Sequence, residues 1–292
     1  MKAHYLLLLT FALLPFVALA ELIELPNCTL SVTEISGDPS YLPLLMVNGI
    51  PTSSLIFTPL IAELGKRNLP NPIIRLDLPG TGNSRMHRPD YTWTTQRECL
   101  RAFLKYTGPV IPVIHDVAGP IMLPLLKSSD IPAFVLFDTI VKPSAFTPRF
   151  PMSLAQIKGF GPTAVDAIPF AVFAMMYGAE GFGRPEKVCA DLLMGLYRSM
   201  RGDQVFRNMS AFELDAGTDR LILAGLNENL PHLVLWGQRD KMIGAQFSYL
   251  PNAYRRAARV FPEGKHFLMI DFAAEVAEEL TSWLQAHSYF LQ

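Results

Sequence analysis

Charge is scarce in this 292-residue chain. Asp, Glu, Lys and Arg make up 17% of it and the formal net charge is −1, which leaves no electrostatic case for nucleic acid or an anionic membrane surface as partner. Cysteine is scarcer still. Cys28, Cys99 and Cys189 stand far apart with no metal-ligand spacing. With no Cys/His cluster and no phosphate-cradling Gly loop, neither a metal site nor a cofactor is implied. The three cysteines leave two readings open: one disulfide and a leftover thiol in an oxidising compartment, or three buried free thiols. Gly-x-Ser-x-Gly is absent, so any nucleophile elbow carries something other than serine. There is no internal repeat and no low-complexity tract. The 24 prolines exclude a long helical bundle or coiled coil.

What is present is apolar: half of the residues are hydrophobic. That composition supports a large core, in one large α/β domain or one domain with an insertion. At the amino terminus Lys2 precedes an apolar run, Tyr5 to Leu19, broken only by Thr10 and Pro15, and the run ends Ala18-Leu19-Ala20. This reads as a secretory signal peptide over residues 1–20, cut before Glu21. As an uncleaved membrane anchor the run is rather short. The mature chain is therefore expected to be secreted or periplasmic, with no stable membrane anchor. Asn27-Cys28-Thr29 and Asn208-Met209-Ser210 fit the glycosylation sequon and matter in a eukaryotic host.

From Cys28 onward, short apolar runs alternate with helical stretches. Cys28–Ser36 alternates with period two, as an opening antiparallel strand does. Leu42–Val47 is continuously apolar, the mark of a strand buried on both faces. Ser54–Arg67 predicts a helix, Pro72–Leu76 a strand, Thr94–Tyr106 a helix, Val110–Ile114 a strand, Ile121–Lys127 a helix and Ala133–Phe137 a strand. The rhythm stops across residues 143–229, where helical patterning is interrupted by Gly and Pro. It resumes with His232–Trp236 (strand), Ala245–Ala257 (helix), Ala258–Phe261 (strand) and Phe272–His287 (helix). The pattern predicts an α/β fold with a mostly parallel, doubly wound sheet. Residues 21–142 and 230–292 form its core, and 143–229 an inserted helical cap over the carboxyl edge, where ligands bind in such sheets.

Three residues stand just past the ends of predicted strands. Asp116 follows Val110–Ile114 and precedes Val117-Ala118-Gly119, whose small residues let a helix pack close behind a sharp turn. Asp240 lies in Gly237-Gln238-Arg239-Asp240 after His232–Trp236. His266 lies in Gly264-Lys265-His266-Phe267 after the last strand. Each has an ordinary structural reading alone, as helix cap, turn residue or loop histidine. Together they supply, in order, a nucleophile, an orienting acid and a histidine base, each just past a strand end. Asp138, after Ala133–Phe137, is a reserve acid. Asn48-Gly49-Ile50-Pro51 follows Leu42–Val47, and the amides of Ile50 and Val117 are expected to converge on one oxygen of Asp116 as an oxyanion hole.

These segments resemble the α/β-hydrolase superfamily, in particular its aspartate-nucleophile branch of epoxide hydrolases and haloalkane dehalogenases. Asn48-Gly49-Ile50-Pro51 is similar to a His-Gly-x-Pro oxyanion segment. Asp77-Leu78-Pro79-Gly80-Thr81-Gly82-Asn83-Ser84 is similar to an Asp-x-x-Gly-x-Gly-x-Ser turn, and His115-Asp116-Val117-Ala118-Gly119 to a His-Asp-Trp-Gly-Gly elbow. The segments around Asp240 and His266 resemble the acid and histidine segments of dehalogenases. The resemblance spans the mature chain outside the cap. It implies an α/β-hydrolase fold and an alkyl-enzyme ester on Asp116.

There are departures from the pattern. Asn48 stands for the usual histidine and Val117 for the tryptophan that donates to a departing halide, while Ile50 occupies a position where one dehalogenase group has a halide-binding Asn. Trp93, Trp236 and Trp283 fall elsewhere. The expectation is epoxide hydrolysis on a small apolar electrophile, with Tyr197, or else Tyr177, in the cap as ring-opening acid. Packing is the alternative role for either tyrosine. Phe170, Phe173, Met175 and Met176 are expected to line an apolar pocket or the cap's core. Haloalkane dehalogenation is one competing function. A catalytically inactive binding protein is another.

Overall fold

The expected apolar runs become strands, and two short ones join them. The computed structural model describes residues 20–127, 131–149, 152–157, 161, 163, 166–200 and 202–288. Apart from Ala20, the expected signal peptide lies outside them. The strands are β1 (Glu21–Glu24), β2 (Cys28–Ile35), β3 (Leu44–Val47), β4 (Ile73–Leu76), β5 (Arg85–Met86), β6 (Ile111–Asp116), β7 (Phe134–Thr139), β8 (His232–Gly237) and β9 (Arg259–Phe261). They form one sheet in the order β1-β2-β4-β3-β6-β7-β8-β9, with β5 on β2. Pairings that involve β2 are antiparallel, and those from β4 to β9 are parallel. Every residue of β3, β6 and β7 is buried, as expected of central parallel strands covered on both faces. The two strands absent from the sequence reading, β1 and β5, are edge pairings too short to show a period.

The helices are α1 (Thr58–Lys66), α2 (Trp93–Thr107), α3 (Ala118–Met122), α4 (Met152–Ala155), α5 (Phe170–Met176), α6 (Ala190–Ser199), α7 (Asp203–Ser210), α8 (Ala216–Gly225), α9 (Asn252–Ala257), α10 (Leu268–Asp271) and α11 (Ala273–Ala286). Among the described residues no strand lies between β7 and β8. Three expected helices differ. Ser54–Arg67 opens as a 3-10 turn, Ser54–Phe57, ahead of α1. Ala245–Ala257 divides into a 3-10 turn, Gly244–Tyr249, and α9. Pro251 keeps Leu250 extended (ψ 140°) and so separates the two. The helix expected at Ile121–Lys127 begins earlier, at Ala118, and tightens to a 3-10 turn at Leu123–Leu125.

Cys28 and Cys99 form a disulfide that joins β2 to α2, and Cys189 is exposed as a free thiol. The reading with three buried thiols is thereby excluded. Asn208 is fully buried. Its amide donates to the Pro79 carbonyl at 2.7 Å and its oxygen accepts from Gln96 at 2.9 Å, so the second sequon has no free acceptor in the folded chain. No helix among the described residues is long and apolar enough to cross a membrane.

Candidate active site

The strand order places a crevice. From β3 the chain crosses to β4 on one side, and from β6 it crosses to β7 on the other. The loops leaving the carboxyl ends of β3 and β6 therefore part in opposite directions, opening the sheet at the switch point. Asn48-Gly49-Ile50 leaves β3 there, and Asp116 ends β6 beside it.

Asp116 has φ +53°, in the left-handed region that a short polar side chain tolerates better than most. The turn is fixed through its carbonyl, which accepts from Thr139 Oγ1 at 2.7 Å and Ile140 N at 3.1 Å. The β6–β7 register shifts between His115 and Asp116. Helix α3 starts immediately afterwards and packs close because residue 119 is Gly: a Cβ there would lie 2.4 Å from Thr139 Oγ1. Gly49 is required on the other wall, where a Cβ would lie 2.3 Å from Asp116 Oδ2. Asp116 Oδ2 accepts the Ile50 amide at 3.1 Å. Of the two expected oxyanion donors, Ile50 bonds this side chain; the Val117 amide, next along the chain, lowers its pKa, while Asp116 Oδ1 has no hydrogen-bond partner among the described residues.

Asn48 explains how the β3 loop stays in place. Its amide donates to the carbonyls of Gly49 (2.7 Å) and Thr52 (2.8 Å) and to Thr81 Oγ1 (3.2 Å), while its oxygen accepts from Leu78 N at 3.0 Å. It thus ties the oxyanion loop to the turn after β4. Asp77 ties the same turn again by accepting from Ser54 N at 2.8 Å and Asn83 N at 3.2 Å.

His266 Nε2 lies 3.9 Å from Asp116 Oδ1, and its Nδ1 lies 3.0 Å from Asp240 Oδ2. Asp240 is held by the amides of Met242 (2.7 Å) and Ile243 (3.1 Å) on Oδ1. All three side chains are buried. Burial pushes the Asp116 carboxyl up to about 6, against the lowering pull of His266 and the Val117 and Ile50 amides. For His266, burial disfavours the charged ring. The charge and hydrogen bond of Asp240, and then the charge of Asp116, outweigh it and raise its pKa.

His115, quoted only as part of a motif in the sequence, has a structural task. It is buried, sits 4.6 Å from the His266 ring, and places Nε2 3.1 Å from the His266 carbonyl. Burial first, and His266 second, hold it well below the usual imidazole range. It is therefore a neutral donor that steadies the His266 loop. Asp138 does not bond His266. Its Oδ1 accepts from Gly237 N at 2.9 Å.

The two tyrosines of the expected cap diverge. Tyr177 is buried in a π-helical turn, Tyr177–Gly181. Its ring stacks on Phe267 at 5.4 Å and touches Phe173 at 4.1 Å. Burial raises its phenol pKa, and the charge of Asp116 adds to the rise. Tyr197 is half-buried and donates its hydroxyl to the Ile168 carbonyl at 2.8 Å. Phe170 and Phe173 pack against it, whereas Met175 is 67% exposed.

The π turn is clamped to the histidine loop. Phe267 N donates to the Gly181 carbonyl at 3.1 Å, and Arg184 N donates to Asp271 Oδ2 at 2.8 Å. The Arg184 guanidinium pairs with Glu275 at 2.5 Å and covers the Phe272 ring at 3.9 Å. Sequence reasoning missed Arg184 because its partners lie about 90 residues away and no local period marks them. Of the tryptophans, Trp93 packs on Phe212, Trp236 on Phe247 and Trp283 on His287. Among the described residues no group of three or more His, Cys, Asp or Glu side chains is placed to hold a metal ion.

The fold recurs widely. The chain superposes on the Cif epoxide hydrolase from Acinetobacter nosocomialis with a TM-score of 0.70 at 18% identity, over 91% of this chain and 88% of that one. The epoxide hydrolase CorEH gives 0.73 at 13% identity, over 92% and 99%. The esterase EaEST from Exiguobacterium antarcticum gives 0.66 at 19% identity, over 88% and 96%. Among curated proteins, none matches the sequence. A sequence model of the Alpha/beta hydrolase family matches residues 44–279, and this chain belongs to that family.

Proposed function

We propose that the protein is an epoxide hydrolase for small apolar epoxides, with Asp116 as nucleophile, His266 as base and Asp240 as its orienting acid. One observation carries this reading: a carboxylate at the strand-to-helix elbow accepts the Ile50 amide and faces a histidine whose far nitrogen is held by a second carboxylate. An aspartate that attacks a carboxylic ester would form a mixed anhydride, a poor exchange. Attack on an sp³ carbon forms an ordinary ester instead.

In the first step Asp116 forms a C–O bond to an epoxide carbon, and the ring C–O bond breaks. The ring oxygen takes the Tyr177 proton, leaving a phenolate. Tyr177 suits this role better than Tyr197. Its side chain is buried, and Asp116's charge reaches its phenol. Tyr197, favoured by sequence alone, has committed its proton to Ile168.

In the second step His266 takes a proton from water, the hydroxide adds to the ester carbonyl, and the Ile50 and Val117 amides hold the oxyanion. Collapse frees the diol and the Asp116 carboxylate, and the histidine proton returns to Tyr177. The timing follows from charge. While Asp116 is ionised its charge contributes to the raised His266 pKa. Esterification removes that charge and lowers the histidine pKa when a base is needed.

Three further features bear on the reading. The Phe173, Tyr177 and Phe267 rings supply apolar surface. A halide leaving group lacks an indole donor, since Trp93, Trp236 and Trp283 pack on other partners. Secretion or periplasmic export is part of the proposal, supported by the apolar amino-terminal run and by a disulfide suited to an oxidising compartment.

The test is a mass spectrum of the His266→Gln variant after incubation with panels of epoxides and haloalkanes. The expected result is a stable mass increase equal to the epoxide on the peptide bearing Asp116. Turnover at the parent rate would refute the assignment. An adduct formed only from haloalkanes, with halide release, would replace epoxide by halide as the leaving group. No adduct and no turnover, in parent or variant, would favour a binding protein.

A further inference from the structure

Asp138 is the buried carboxyl that this mechanism leaves without a task. It stands near the end of β7 with φ +26° and no exposed surface. Its Oδ1 accepts the Gly237 amide, but no N–H or hydroxyl donor among the described residues reaches its buried Oδ2. The two acids flank one residue, Gly237, whose amide donates to Asp138 at 2.9 Å and whose carbonyl accepts from Asp240 N at 3.1 Å, and the Asp240 carboxyl is the side chain that acts on Asp138 by hydrogen bond and charge. Asp240 already accepts two amides on Oδ1 and His266 on Oδ2. Two carboxylates in contact in a dry site cannot both be ionised, and the proton goes to the one with fewer donors. Asp240 has three donors and Asp138 has one.

We propose that Asp138 is a positioning residue that remains protonated at neutral pH and donates its carboxyl O–H to Asp240, fixing the carboxylate that orients His266. Asp240's role here rests on the triad assigned above; the contact between the two carboxyls does not. The charged groups acting on Asp138 are Asp240, from the loop after β8, and Asp271, from α10. Both are acidic, so both favour the neutral form. Burial acts the same way and is the largest influence on the raised pKa. A protonated Asp138 also satisfies the oxygen that is otherwise unpartnered. Its loss would cost a buried donor to a charged acceptor, an interaction stronger than a neutral hydrogen bond.

The experiment compares Asp138→Asn, Asp138→Ala and Asp240→Asn. An Asn side chain accepts from Gly237 and donates to Asp240 just as the neutral acid does. Asp138→Asn should therefore keep kcat within about threefold of the parent, with the His266 pKa read by NMR unchanged. Asp138→Ala should lose about 10- to 100-fold in kcat with KM little altered, the usual cost of removing an outer partner of a site residue. An infrared difference spectrum, parent minus Asp138→Asn at about pH 8, should show one protonated carboxyl band. Asp116 is ionised under that condition and contributes none. A missing band, or an Asp138→Asn variant as impaired as Asp240→Asn, would overturn the proposal. If the parent proves inactive on every epoxide, the infrared spectrum still decides the protonation of Asp138.

Discussion

Asp116→Asn removes one charge from a buried position and changes little else. Asn tolerates the left-handed backbone of residue 116 about as well as Asp, and its side-chain oxygen can still accept the Ile50 amide. The difference in stability therefore reports the burial of charge. The Asp116 pKa rises from an ordinary 3.8 to about 6, roughly two pH units, and each unit is worth about 1.4 kcal/mol. The sign follows from the direction of the shift. A raised acid pKa means that the folded state favours the proton, so the associated stability is complete below 3.8 and is lost as pH rises through about 6. The parent thus carries a penalty of about 3 kcal/mol at about pH 8 that the Asn variant escapes. In a domain of this size that is an increase in Tm of about 6–12 °C. The gain should shrink between about pH 6 and pH 4 and vanish below. Thermal and urea melts of both proteins across that range measure it. A variant no more stable than the parent at about pH 8, or one equally stabilised at every pH, would refute the reasoning.

Tyr177→Phe should slow single-turnover alkylation by an epoxide about 10²- to 10⁴-fold, while Tyr197→Phe, whose hydroxyl bonds Ile168, should change it less than about tenfold; stopped-flow fluorescence reads both. The alkylation rate of the parent should fall about tenfold per pH unit below about 6, because protonated Asp116 cannot attack, and a rate independent of pH there would exclude Asp116 as nucleophile. Serine at Cys28 or Cys99 should cost about 4 kcal/mol in denaturant melts, since the bridge closes a loop with a sequence separation of 71; a Cys189→Ser variant should melt with the parent.

The strands that position the site were legible because their burial is written in composition. Leu42–Val47 and Ala133–Phe137 are apolar without interruption, and the structure makes their cores β3 and β7. The three triad candidates were legible because strand ends fix them in the sequence, where a turn residue must follow an apolar run. Contacts between distant segments were not. Nothing local tells that Asn48 binds Thr81, that Arg184 spans to Glu275, or that Tyr177 lies under Asp116's charge while Tyr197 turns to Ile168. In the cap, aromatic spacing looks the same whether a ring packs or reacts, and only the path of the π turn separates the two tyrosines. Asn208 illustrates the converse. Its sequon is a local signal, and tertiary burial overrides it.

The features that violate ordinary stability rules gather at one edge of the sheet. Four non-glycine residues among those described have positive φ, and two of them, Asp116 and Asp138, stand at the ends of the adjacent strands β6 and β7. Both are buried acids with raised pKa values. His115 Nδ1, a buried imidazole nitrogen, has no partner there, and the one π-helical turn described places Tyr177 above the same loop. Away from this edge, the central strands follow the rule of apolar burial throughout. A fold used only for binding has no need of an ionisable carboxyl in a left-handed turn, and Asn at residue 116 would relieve the charge with no change of shape. On the proposed reading, retaining the acid makes sense because the same desolvation that destabilises the ground state leaves a poorly solvated, reactive carboxylate bonded to the Ile50 amide. On the proposed function, the cost in stability and the capacity for chemistry have one source, which a binding protein would not require.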